Sequence, residues 1–115
     1  MHKDKASLAD VLDSMRLAVA YVGSMTVQEF EQSVEKIDSV SRRLEIIGEA
    51  TKRLSMSFRD AHPDVQWRTM AGMRDRLIHG YDAIRVDQIY DAVTKVIPPL
   101  IPKIEAILQT LPDPE

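Results

Sequence analysis

Val40-Ser41-Arg42-Arg43-Leu44-Glu45-Ile46-Ile47-Gly48-Glu49-Ala50-Thr51-Lys52-Arg53-Leu54 decides the fold class. Within it Val40, Leu44, Ile47, Thr51 and Leu54 recur every three or four residues, the spacing of one face of a helix. The spacing predicts a long helix that runs to about Ser57. Gly48 sits inside it, where glycine costs about 1 kcal/mol relative to alanine. Close approach of a neighbouring helix would account for that residue.

The same period extends in both directions. Upstream, Ser7 with Asp10 approximates a capping box and is expected to start a first helix. Leu8, Val11, Leu12, Met15, Ala18, Val19 and Val22 form its stripe, which ends near Gly23. Thr26 with Glu29 is a cleaner box. It opens a helix carrying Phe30, Val34 and Ile37, with a short break near Lys36-Ile37-Asp38 as the alternative to continuation. Downstream, Phe58 to Gln66 reads as a loop punctuated by His62-Pro63, and Trp67 to His79 as a helix with Met70, Met73 and Leu77 facing the core. Asp87 is expected to cap the last helix, whose seam is Ile89, Val93, Ile97, Leu100, Ile104, Ile107 and Leu111. Pro98, Pro99 and Pro102 each remove a donor and crowd the preceding turn, so a kink or break is expected there. No stretch alternates as a strand does. The class is all-α, an antiparallel bundle of four to five helices, with residues 1–111 as one domain and 112–115 as a loose tail.

Composition narrows the function. At 115 residues, 44% hydrophobic and 29% charged, the chain reads as one soluble domain with no membrane role. It shows neither a spanning apolar run nor a signal-peptide pattern, so a cytoplasmic location is expected. Without cysteine it has no disulfide and no thiolate metal site. Histidines 2, 62 and 79 do not cluster, H-E-x-x-H is missing, and neither a phosphate loop nor a cofactor fingerprint is present. No metal and no cofactor is expected. Net charge is −3, yet eight basic residues between Arg42 and Arg76 outnumber five acidic ones. This locally basic stretch is suited to drawing in a phosphate backbone; a solvated mixed-charge surface is the alternative.

The candidate site is Met73-Arg74-Asp75-Arg76-Leu77-Ile78-His79-Gly80-Tyr81. Arg74 lies at the edge of the apolar stripe. His79, five residues on, is about 140° away in azimuth on an ideal helix, so the two share no face. Either the helix ends before His79, with Gly80 as the residue just past it, or a second copy completes the site. Residue chemistry also admits a structural role, with His79 paired to Asp75 one turn back and favoured by the helix dipole. Arg76 reads more readily as a solvated charge than as a phosphate contact.

The pattern R-x-x-x-x-H-x-Y, here Arg74, His79 and Tyr81, resembles the signature of HepT-like toxins of the HEPN superfamily. Arg43 to Ala50 is similar to a second block of that family, and His62-Pro63-Asp64-Val65-Gln66-Trp67 resembles the loop that leads into its motif helix. The likeness covers about Phe30 to Leu108. It implies a HEPN-like homodimer that cleaves RNA (tRNA or mRNA as candidates) without a metal, with Arg74 and His79 catalytic at the dimer interface. Asp75, Arg76, Arg43 and Glu49 would support the site or bind RNA. It further implies a toxin–antitoxin system in which a minimal nucleotidyltransferase antitoxin, MntA-like, attaches AMP to Tyr81. A non-catalytic helical module that docks such a nucleotidyltransferase is the rival reading. Trp67 is expected to anchor the core rather than stack on bases, and His62 to belong to a turn.

Overall fold

The computed structural model describes residues 2–72 and 85–113, and there the chain is helical between short turns. The elements are α1 (His2–Val22), α2 (Val27–Glu31), α3 (Val34–Arg53), α4 (Met56–Ala61), α5 (67–72), α6 (Val86–Asp91) and α7 (Ile97–Thr110). A π-helical turn, Ala92–Val96, joins the last two. No strand occurs among the described residues, so the all-α class holds. None of the described helices is long and apolar enough to cross a membrane.

α1 packs along both α3 and α7. Its direction is opposite to theirs. Asp4 near its start meets Ser55, just past the end of α3, and Arg53 pairs with Asp10 at 3.2 Å. On the other side Arg16 pairs with Glu105 at 2.6 Å, while Lys5 reaches the Leu111 carbonyl at 3.3 Å and the Asp113 carboxylate. Leu8, Val11, Met15 and Ala18 of α1 bury fully against Val40 and Leu44 of α3 and Ile104 of α7. The seam read from the sequence is therefore the core. Gly48 lies buried on α3 as its position in the stripe requires.

Several boundaries differ from the sequence reading. α1 begins at His2, and Ser7 is a buried residue inside it rather than its cap. The extra turn forms because the buried Asp4 finds a partner 51 residues away. At the other end Gly23 takes φ +53°, the left-handed closure that glycine permits. The Thr26–Glu29 box is present in both directions, at 3.1 and 2.8 Å. The break after it falls at Ser33, whose hydroxyl caps α3 by accepting from the Lys36 N–H at 3.2 Å.

The expected loop from Phe58 contains a helix instead. α4 is started by Ser55, which accepts from the Phe58 N–H at 3.2 Å, so α3 stops at Arg53 rather than Ser57. Arg85, not Asp87, occupies the N-cap of α6, and Asp87 lies in the first turn, where its charge complements the helix dipole. The interruption expected at the prolines lies just before Pro98 and Pro99, which occupy the first turn of α7, whereas Pro102 sits inside α7 without ending it. In the π turn the Ile97 N–H donates to Ala92, five residues back. A wider turn there relieves the crowding that Pro98 and Pro99 would impose on an α-helical register.

Candidate functional site

Arg74, Asp75, Arg76, His79 and Tyr81 lie outside the described residues. What the structure defines is the platform from which their segment departs, namely α4, the turn after it and α5. Ser55 links this platform to the bundle. Its backbone N–H and its hydroxyl each donate to the buried Asp4 carboxylate at 2.8 Å, while the hydroxyl oxygen caps α4. Burial alone would raise the Asp4 carboxyl, but its hydrogen bonds and charge interactions, the two Ser55 donors foremost, hold the group below its ordinary value of 3.8.

An aromatic knot then sets the angle between α4 and α5. The Phe58 ring lies 4.8 Å from the imidazole of His62 and 5.9 Å from the indole of Trp67. The Trp67 indole N–H donates to the His62 carbonyl at 2.9 Å, and the Val65 N–H to the same oxygen at 3.3 Å. Trp67 is buried with its only polar atom engaged, so it anchors the core and offers no face for a base. His62 contributes its carbonyl and its ring to the turn.

Beside this knot opens a cleft of about 450 Å³, flanked by Arg59 and Asp60 of α4 and by Gln66, Arg68 and Thr69 at the start of α5. Arg59 is half-buried. Its Nη2 lies 2.9 Å from the Met56 sulfur, and its Nε is buried without a hydrogen-bond partner. Neither Arg59 nor Arg68 pairs with a carboxylate among the described residues. Sequence reasoning counted both in the basic stretch but singled out neither. The discriminating signal was their position on either side of one turn, which depends on the missed helix α4.

Arg43 and Glu49 are both half-buried on α3. Six residues apart, they lie about 120° apart around the helix axis, so α3 does not present them on one face. Arg43 lines a separate cleft of about 340 Å³ with Tyr21, Asp38, Ser39 and Arg42. The Lys36 ammonium lies 5.7 Å from the Tyr21 ring beside it.

Known proteins resemble most of the chain. A family model described as "Ribonuclease HepT-like" matches residues 11–107. A Methanocaldococcus jannaschii protein described as a "Putative RNase" is 37% identical over 107 residues, which is 93% of this chain and 88% of that protein. A "Probable ribonuclease HepT" from Thermococcus cleftensis is 36% identical over 106 residues, 92% of this chain and 94% of the relative. A further "Putative RNase", from Caldanaerobacter subterraneus, is 34% identical over 109 residues, 95% and 97% of the two chains. No solved structure gives a significant match.

Proposed function

Because the chain belongs to the ribonuclease HepT-like family, we propose that it is a metal-independent endoribonuclease, the toxin of a toxin–antitoxin pair, active as a homodimer. The observation that carries this reading is the family match over residues 11–107, a span that includes Arg74, His79 and Tyr81. The basic cleft immediately before that segment supports a polyanionic substrate.

The chemistry follows from the two side chains. The His79 imidazole, a side chain suited to general-base work near neutral pH, takes the proton of a ribose 2′-hydroxyl. The freed oxygen bonds to the adjacent phosphorus, and the Arg74 guanidinium supplies a planar fork of donors to the phosphorane oxygens. The bond from phosphorus to the 5′-oxygen breaks, and that oxygen receives a proton. The products are a 2′,3′-cyclic phosphate and a 5′-hydroxyl. One imidazole cannot stand on both sides of the phosphorus, so the second copy in a homodimer supplies the acid. AMP on Tyr81, attached by a nucleotidyltransferase antitoxin, would place a negative phosphodiester beside the imidazole and repel the substrate.

The test is cleavage of RNA in excess chelator by protein expressed alone, with analysis of the product ends. His79→Ala is expected to abolish cleavage while leaving helicity and oligomeric state unchanged. Cleavage that survives in that variant would overturn the assignment. The regulatory half is read by intact mass after co-expression with a nucleotidyltransferase partner. A gain of whole AMP units, lost in Tyr81→Phe, is the expected result.

A further inference from the structure

We infer that the groove running from Arg59 and Arg68 across Gln66 to Lys95 and Lys103 is a track for the phosphate backbone of single-stranded RNA. Its role is to hold nucleotides beside the reacting one, and it rests on the ribonuclease reading of the neighbouring motif.

Two clefts meet at Gln66. The first, between α4 and α5, carries Arg59 and Arg68. The second, of about 310 Å³, lies between the same turn and α7 and carries Lys95, Lys103 and Asp64. Four cations and two carboxylates, Asp60 and Asp64, therefore line two clefts that share Gln66, in a chain whose net charge is −3. The two guanidiniums have no carboxylate partner among the described residues. The Nε of Arg59 is also buried without a hydrogen-bond partner, so nothing among the described residues ties this guanidinium down at that atom. A phosphate in the cleft meets the Arg59 guanidinium, whose fork of donors matches its geometry. Further along, the Lys103 ammonium donates to the Asp64 carbonyl at 3.3 Å, which holds it at the rim. Lys95 is exposed and pairs with Asp91 at 3.5 Å, a surface contact that a phosphate can replace at little cost.

The chemistry of the lining also says what is read. Trp67 is buried and its indole N–H is engaged, so among the described lining residues no aromatic platform is offered to a base. Gln66 and Thr69 provide an amide and a hydroxyl suited to ribose and phosphate. The track thus grips backbone without regard to sequence. Arg68 precedes Arg74, the first residue of the motif, by six residues in the chain.

The experiment measures binding and cleavage separately. A fluorescein-labelled single-stranded RNA of about twelve nucleotides is titrated with His79→Ala protein, and anisotropy is followed from about 50 to 200 mM salt. Each phosphate contact contributes about 0.7 to the slope of log affinity against log salt for single strands. Arg59→Gln with Arg68→Gln should lower the slope by about 1.4, so the native advantage in affinity shrinks about sevenfold across that salt range. Arg68→Gln alone, at an exposed position where folding is not at stake, should lower it by about 0.7. Arg16→Gln removes the same charge from α1, outside both clefts, and should change neither affinity nor slope. Unchanged binding in both cleft variants overturns the track. So does RNA binding that is unchanged while association with a nucleotidyltransferase partner is lost, because the cations would then be a protein dock. RNA that binds through these arginines but is never cut by the unmodified chain would refute the nuclease reading and leave the track standing. RNA that is cut with an unchanged KM in Arg68→Gln would do the reverse.

Discussion

Removing the Asp4 carboxylate should destabilise the bundle and the platform of the site together. In Asp4→Ala two donors on Ser55 lose an ionised acceptor at 2.8 Å. Hydrogen bonds to charged groups contribute about 1.5–3 kcal/mol each. Ser55 is only half-buried, so water can reach its donors, and the lower value applies to both, giving about 3 kcal/mol in total. Asp4→Asn keeps an acceptor for the Ser55 N–H and turns its own amide N–H toward the Ser55 hydroxyl oxygen, so about half that loss is expected. At about 4 °C per kcal/mol for a domain of this size, the two variants should melt about 12 and 6 °C below the native chain at pH 7. The pH dependence carries a fixed sign. The folded chain releases the Asp4 proton at a lower pH than the unfolded chain, whose carboxyl keeps the ordinary value of 3.8. This contribution is therefore fully present above 3.8 and is lost as the pH falls through the folded value. Urea melts of native and Asp4→Asn protein from neutral pH downward test it, since the gap between them should close below the ordinary carboxyl value. Equal stability at pH 7, or a gap that stays constant on acidification, would refute the assignment of Asp4 as a charged clasp.

Gly23→Ala forces a Cβ into a backbone at φ +53°, which costs about 1 kcal/mol, readable as a lower urea midpoint with an unchanged slope. Trp67→Phe keeps the ring packing but removes one of the two donors to the His62 carbonyl, so a loss of about 1 kcal/mol is expected. Trp67→Ala also empties the knot and should cost about 3–5 kcal/mol. Tyr90→Phe removes the hydroxyl that donates to the Met25 carbonyl at 2.6 Å while sparing the ring contact with Phe30 at 5.7 Å, so its cost should stay near 1 kcal/mol by thermal melts.

Local signals were legible where the chain carries them locally. Thr26 and Glu29 form their box because both partners lie within one turn, and α3 shows its stripe because that face is buried against α1. The missed features depend on distant partners or on segments too short for a period. α1 gains its first turn from Asp4, whose acceptor role is fixed by Ser55 on the far side of α3. α4 has a single buried residue, Phe58, so no apolar repeat announces it. Its cap, Ser55, stands three residues before Phe58 in the usual register, but His62-Pro63 downstream masked that signal. The π turn at Ala92–Val96 precedes the prolines that cause it, and no residue inside it marks it. For the candidate site the order is reversed. The motif of Arg74, His79 and Tyr81 was legible by resemblance and lies outside the described residues, whereas Arg59 and Arg68 emerged only from the fold.

The two proposed halves of the site, the motif and the track, would depend on the fold in different ways. A general base and a phosphorane-stabilising cation need only a few residues of chain between them, so a short motif can specify them. A backbone track needs cations from separate elements at one distance from each other, and that distance is set by helix angles. Here the angle between α4 and α5 comes from the Phe58–His62–Trp67 knot, and the seat of α4 from the Asp4–Ser55 clasp. Loosening either element should therefore weaken RNA binding before it affects the chemistry of bound RNA, raising KM with little change in kcat. That pattern separates a platform which positions substrate from residues which react with it.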